Sequence, residues 1–218
     1  MNYNLSEMSK YIKSNTGFTG GIAVVLGSGL GGFTNELNNP QSIDYKDIPN
    51  YPVPTVAGHS GEFVIGDYKG VPVIAAKGRF HYYEGHNLET VTLPIALFKS
   101  IGAKYLIITN AAGSARKSIP PGTLMLITNY ADCTFLDSVD DPIIIKSNSK
   151  ELLNCVEISS KQMKIDIKKG TYCWTQGPGY ETPAEVKYVQ DLGGDAVGMS
   201  TVPELNKAEE IGLEAVAI

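Results

Sequence analysis

The amino-acid sequence predicts an α/β fold: a single domain over residues 1–218, with a mixed, largely parallel central sheet flanked by helices. Three observations carry this expectation. Strand-like and helix-like segments alternate along the chain, as they do when strands are joined through helices. The strand-like runs are apolar throughout rather than at every second position, which suits strands covered on both faces. No internal repeat and no linker divides the 218 residues.

Each element has its own local reason. Residues 4–16 read as a helix, with Leu5, Met8, Tyr11 and Ile12 near one face and Asn4 placed to cap it. IAVVLG (22–27) is a short β-branched run bounded by glycine, a buried strand. Residues 38–54 are rich in Pro, Asn and Asp and are expected to be irregular surface chain. EFVIGDYKG and VPVIAAKG follow as two strands joined by a turn at 68–70. Residues 89–101 have a helical pattern, with Pro94 expected to kink the helix or delay its start. KYLIITN (104–110) and LMLITNY (124–130) are two further strands, and 151–163 is an amphipathic helix. TYCWTQG (171–177) is a strand, and 183–193 is a helix closed by glycine. Residues 195–199 are a strand, and 203–212 a helix with Pro at its first position. The chain stops at LEAVAI (213–218), inside an apolar run typical of a central strand. The expectation is a longer architecture that has been cut here, rather than a short final strand.

Composition excludes several classes of function. Hydrophobic residues make up 43% of the chain, which is enough for a core and too many for a disordered chain. Lys and Arg number 18 against 23 Asp and Glu, for a net charge of −5. With no basic block, general affinity for nucleic acid is not expected. No apolar run approaches the ~18–20 residues that span a bilayer, and the N-terminal residues contain no signal-peptide core. Cys133, Cys155 and Cys173 are odd in number and lack C-x-x-C spacing. They predict neither a disulfide framework nor a structural zinc site, and a reducing cytoplasm fits them best.

Five segments carry chemistry, and each follows a predicted strand. Gly27-Ser28-Gly29-Leu30-Gly31-Gly32 could aim backbone N–H groups and a hydroxyl at an anion. It matches the dinucleotide pattern G-x-G-x-x-G, but the next stretch is too broken for a βαβ unit, and Asp47 lies in loop-like sequence. A plain glycine turn is the bland alternative. All three histidines, His59, His81 and His86, fall within 28 residues. No familiar metal-ligand spacing accompanies them, so no metal is expected. Arg79 ends an apolar strand and offers a planar fork for phosphate or carboxylate. On an alternating backbone Arg79, His81 and Tyr83 would share one side. Thr109-Asn110-Ala111-Ala112-Gly113-Ser114 has the small residues that let a ligand lie against backbone amides. In Gly177-Pro178-Gly179-Tyr180-Glu181-Thr182-Pro183, Tyr180 can stack on a flat ring and Glu181 can accept from ring N–H groups, while Thr182 and Glu185 can form a capping box. In Val197-Gly198-Met199-Ser200-Thr201-Val202-Pro203, Ser200 is a donor at a helix start, and Met199 is core or ligand-facing. Five such loops are the layout of a ligand site at the carboxyl edge of an α/β sheet.

The ordered motifs GSGLGG, GHSG, KGRFHYYEGH, TNAAGS, GPGYETPAE and DAVGMSTVPE resemble the trimeric, low-molecular-mass purine nucleoside phosphorylases, over about residues 20–130 and 170–218. The resemblance implies a nucleoside phosphorylase-like fold, a homotrimer and phosphorolysis. A purine ribonucleoside and orthophosphate, the co-substrate, give the free base and ribose 1-phosphate with no metal or organic cofactor. By the same resemblance Ser28, His59, Arg79, His81, the Ala111 amide and Ser200 hold phosphate. Tyr83, Tyr180 and Met199 pack around ribose and base, and Glu181 bonds the purine N1–H edge. His81 and Glu181 are the catalytic pair. The family's usual C-terminal segment, with an Asn for purine N7 and a ribose-contacting His, has no counterpart here. Residues 131–165 look shortened, and Tyr180 stands where Phe is common. The GYET and GMST motifs set the chain apart from the methylthioadenosine branch. A non-catalytic purine- or phosphate-binding relative is the rival from another class.

Overall fold

A computed structural model of the chain describes residues 3–53, 61–136, 140–147 and 149–218. Helix α1 (Leu5–Thr16) starts where the Asn4 side chain accepts the Glu7 N–H, and it ends at left-handed Gly17. Strand β1 (Gly21–Val25) follows. The stretch expected to be irregular contains β2 (Asn38–Asp44), whose residues are mostly exposed. It is an edge strand paired antiparallel with β3 (Glu62–Tyr68). An edge strand needs only one line of backbone partners, so a polar sequence containing Pro40 can form it. β4 (Val71–Lys77) completes the hairpin around Lys69 and Gly70, where Asp67 Oδ1 accepts the Gly70 N–H at 2.6 Å.

Helix α2 (Leu88–Ile101) begins six residues before Pro94, so the expected late start does not occur. The missing N–H at Pro94 is outweighed by packing, since nine of the 14 residues are buried. The remaining elements are β5 (Ala103–Ile108), β6 (Gly113–Ser114), β7 (Leu124–Asp132), β8 (Ile145–Lys146), α3 (Lys150–Gln162), β9 (Ile167–Trp174), α4 (Pro183–Leu192), β10 (Ala196–Gly198), α5 (Val202–Glu210) and β11 (Glu214–Ala217). β9 starts four residues before the expected position, in exposed, Lys-rich sequence that gives no apolar signal.

The α/β class holds, with the strands divided between two mixed sheets. The first has the order β11-β5-β1-β4-β3-β2 and the second β6-β10-β9-β7-β8. β11, β5, β1 and β4 run parallel, as do β10, β9 and β7. LEAVAI forms β11 at the edge of the first sheet, and Ile218 continues its pairing through N–H to the Ile108 carbonyl at 2.9 Å. One core cluster draws on both sheets, joining Ala23, Ile74 and Leu106 to Ile127, Tyr172 and Trp174.

One part of this core leads to the site. Tyr45 packs its ring 4.6 Å from Phe63 and 4.8 Å from Tyr51, and all three are buried. Its hydroxyl donates to the Gly78 carbonyl at 2.9 Å. The aromatic cluster therefore grips the chain immediately before Arg79. Phe63→Ala should lower the unfolding free energy by about 3–5 kcal/mol through the cavity it leaves. Tyr45→Phe should lower it by only about 1 kcal/mol. Urea unfolding at unchanged m-value separates the two.

Candidate active site

The strand ends converge on a cleft of about 410 Å³. Ser28, Arg79, His81, Tyr83, Ala111, Tyr180, Glu181, Met199 and Ser200 all line it. These are the expected site residues except His59, which lies outside the described residues.

The first loop is set by Gly27. A Cβ there would lie 2.7 Å from Asn110 Cα, so only glycine lets the ends of β1 and β5 approach. Thr109 locks the approach: its hydroxyl accepts the Gly27 N–H and donates to the Val25 carbonyl, both at 2.9 Å. Ser28 is thereby delivered beside Ala111. After it come a 3-10 turn (Gly31–Glu36) and antiparallel β2, with no α-helix, and Asp47 sits in a second 3-10 turn. This overturns the dinucleotide reading, which needs a helix N-terminus and a parallel second strand.

Arg79 is 4% exposed and Glu204 2%. The guanidinium Nε donates to Glu204 Oε1 at 3.0 Å, Nη1 to Ser200 Oγ at 3.3 Å, and Nη2 to the Thr109 carbonyl at 3.0 Å. Glu204 was not singled out from the sequence. Its readable signal is the capping box Thr201-x-x-Glu204 at the start of α5, where Glu204 Oε2 accepts the Thr201 N–H at 3.0 Å. Thr201 itself is fully buried with φ +76°, a strained backbone for a β-branched residue. Its hydroxyl accepts from Asn110 Nδ2 at 3.1 Å. That turn holds Ser200, whose N–H lies 3.4 Å from the buried Tyr172 hydroxyl.

His81 and Tyr83 reach the cleft by a different route from simple strand alternation. β4 stops at Lys77, and Tyr82–Glu84 is a 3-10 turn that stacks the two rings at 4.8 Å and 21°. Glu84 Oε1 accepts the His81 backbone N–H at 2.8 Å and lies 3.1 Å from its Nδ1. The Glu84 carboxylate orients the ring from its Nδ1 side and leaves Nε2 for a ligand. Burial first, then the Glu84 charge, raise the Tyr83 phenol above its ordinary value and keep it neutral. Glu84 Oε2 stands 3.7 Å from His86 Nε2, so His86 serves this carboxylate rather than the cleft. Among the described residues no group of three or more His, Cys, Asp or Glu is placed to hold a metal ion.

On the opposite side, Gly177 has φ +73°, and a Cβ there would lie 2.6 Å from Met199 Sδ. This close approach folds the 177–182 loop over Met199, which lines the cleft while packing on the loop. Tyr180 is 93% exposed at the cleft mouth. Thr182 and Glu185 form the expected capping box, which leaves Glu181 outside it. The Thr175 hydroxyl donates to Glu181 Oε1 at 2.6 Å, a contact no sequence pattern indicated.

Burial pushes the Tyr172 phenol from its ordinary 10 up to about 12. Because its folded value is raised, its contribution is fully present below pH 10 and is lost as pH rises from 10 through about 12. Chemical unfolding across that window should show stability falling, and falling less steeply in Tyr172→Phe. Identical slopes would remove Tyr172 as a source of the alkaline loss.

Residues 21–218 match the family described as the phosphorylase superfamily. The chain is 40% identical to purine nucleoside phosphorylase 1 of Bacillus subtilis (strain 168), over all of this chain and 84% of that protein. The crystal structure of the Schistosoma mansoni purine nucleoside phosphorylase in complex with inosine superposes with a TM-score of 0.88 at 30% identity, covering 98% of this chain and 80% of that one. A purine nucleoside phosphorylase structure in complex with ribose 1-phosphate superposes at 0.87 and 31% identity, covering 98% and 84%. With residues of five of the six ordered motifs gathered at one cleft and these likenesses spanning nearly its whole length, the chain belongs to the phosphorylase superfamily, among its purine nucleoside phosphorylases.

Proposed function

We propose that this cleft carries out the phosphorolysis of purine ribonucleosides, with orthophosphate on the Arg79 side and the base on the Glu181 side. The observation that carries this reading is the joining, in one cleft, of a buried guanidinium flanked by hydroxyls and small-residue amides with a carboxylate and an exposed aromatic across from it. The first group suits a phosphate and the second a purine.

In the proposed reaction the bond between ribose C1′ and the base nitrogen breaks, and its electron pair leaves with the base. A phosphate oxygen bonds to C1′, giving ribose 1-phosphate. Phosphate is itself the nucleophile, so no activated Ser or Cys is needed. The sugar becomes oxocarbenium-like as the bond loosens, and the held phosphate stabilises that charge. Ser28, Arg79, His81, the Ala111 amide, Ser200 and His59 hold phosphate, His81 through Nε2. Tyr83, Met199 and Tyr180 enclose ribose and base, and Glu181 accepts a ring N–H as electron density builds on the base. Catalysis is then orientation and preorganised electrostatics, without a metal or organic cofactor.

The same reading makes residues 1–218 a single nucleoside phosphorylase domain that works in the cytoplasm, where three unpaired cysteines suit the redox conditions. It also makes the protein a homotrimer. Ile143 is 79% and Phe135 47% exposed, apolar surface in the 131–165 segment where the resemblance places contact with a neighbouring subunit. Light scattering should give about three times 23.4 kDa; a monomer mass would overturn the trimer.

The deciding experiment is release of hypoxanthine from inosine with and without orthophosphate. The expected result is phosphate-dependent release with ribose 1-phosphate as co-product. Arg79→Ala should raise the KM for phosphate more than that for nucleoside, the lost fork being worth on the order of 1.5–3 kcal/mol. Glu181→Gln should slow turnover with little change in phosphate binding. Saturable phosphate binding without turnover would instead identify a binding-only relative.

A further inference from the structure

We propose that Thr175 is a positioning residue for base recognition, orienting the Glu181 carboxylate so that its free oxygen faces the base edge and so favours 6-oxopurines over adenine. The inference rests on the phosphorylase reading of this cleft and specifies how its base side is built.

Thr175 is the first residue beyond β9, and its backbone N–H donates to the Gly198 carbonyl at 2.8 Å. This bond fixes it against β10, the strand that leads into Met199 and Ser200. Its hydroxyl has one proton and two oxygens within reach, Glu181 Oε1 at 2.6 Å and the Gly198 carbonyl at 3.3 Å. The Gly198 oxygen already receives the Thr175 N–H, and the shorter contact has the length of a hydroxyl bonded to a carboxylate. The proton therefore goes to Glu181. Among the described residues Thr175 is the hydrogen-bond partner of the Glu181 side chain. Glu181 otherwise sits in an open loop beside Tyr180, with rotatable bonds that would let the carboxylate swing.

The consequence is chemical as well as geometric. A donor on Oε1 occupies that oxygen and orients Oε2 as the remaining acceptor. Hypoxanthine and guanine present N1–H on the pyrimidine-ring edge. Adenine has a lone pair at N1, which a carboxylate anion repels. Thr175 thus acts on selectivity through Glu181 and does not contact the reacting atoms.

Thr175→Val keeps the side-chain shape and removes the hydroxyl, whereas Thr175→Ser keeps the hydroxyl. Phosphorolysis of inosine and of adenosine would be measured across phosphate concentrations, with hypoxanthine affinity by calorimetry. Thr175→Val should lower kcat/KM for inosine by roughly tenfold, the scale of one hydrogen bond to a charge. It should weaken hypoxanthine binding, narrow the inosine-to-adenosine preference and leave the phosphate KM within about twofold. Thr175→Ser should restore inosine turnover. If the unaltered protein turns over inosine and Thr175→Val matches it, this inference alone is overturned. Equal losses toward phosphate and base, unrescued by Ser, would make Thr175 merely structural and also overturn it. If the unaltered protein neither turns over inosine nor binds hypoxanthine, the phosphorylase reading fails and this inference goes with it.

Discussion

The buried pair of Arg79 and Glu204 is the constraint around which the proposed phosphate side of the cleft is built. Both side chains are at least 96% buried and meet at 3.0 Å. An unpaired charge at such depth would cost several kcal/mol, and a well-packed apolar pair would often be at least as stable. Stability therefore does not explain the pair. It makes sense as the way to hold a buried positive charge at the cleft for the anion proposed to bind there. Glu204 compensates the guanidinium at Nε, while Ser200 and the Thr109 carbonyl orient its far edge.

That arrangement enlists segments far apart in the chain. Arg79 leaves β4 directly after Gly78, whose carbonyl is held by Tyr45 in the aromatic core. Glu204 sits in the first turn of α5, where one carboxylate oxygen caps the helix and the other meets Arg79. The strained Thr201 backbone is tolerated because that cap, Asn110 and full burial over-determine it. Local strain, a helix cap and an ion pair are thus one device, and it presents Ser200 to the same space as Ser28 and Ala111.

Much of this was legible in the sequence, for identifiable reasons. Strands of the first sheet such as 22–27 and 104–110 announce themselves through apolar, β-branched runs, and the Thr182 cap through its spacing. Ser28, Arg79, His81 and Glu181 were legible because strand-end loops with Gly, Arg, His and a lone carboxylate are rare together. β2 was not legible, because an edge strand is formed by backbone pairing that leaves no hydrophobic pattern. The partition into two sheets was hidden for a similar reason: periodicity reports burial, and pairing partners are a long-range property. Glu204 and Glu84 were missed because each is a glutamate in a helical first turn, where capping is a sufficient local explanation. Thr175 carries no local signal at all, since its partner Glu181 lies across a loop.

The two sides of the cleft are held very differently, and this bears on how the site can vary. The Arg79 side is anchored by buried contacts that span 121 and 125 residues of sequence, Arg79 to Ser200 and Arg79 to Glu204. A change there disturbs the core as well as the ligand. The Glu181 side is a loop with Tyr180 almost fully in water and Glu181 bonded to the Thr175 hydroxyl six residues away. Substitutions in that loop touch few core contacts, so under the proposed reading they change the base side at little cost in stability. A fold built this way makes the proposed phosphate side inseparable from folding. It leaves the proposed base side to short-range contacts at the cleft mouth, where the Thr175 hydroxyl holds the Glu181 carboxylate.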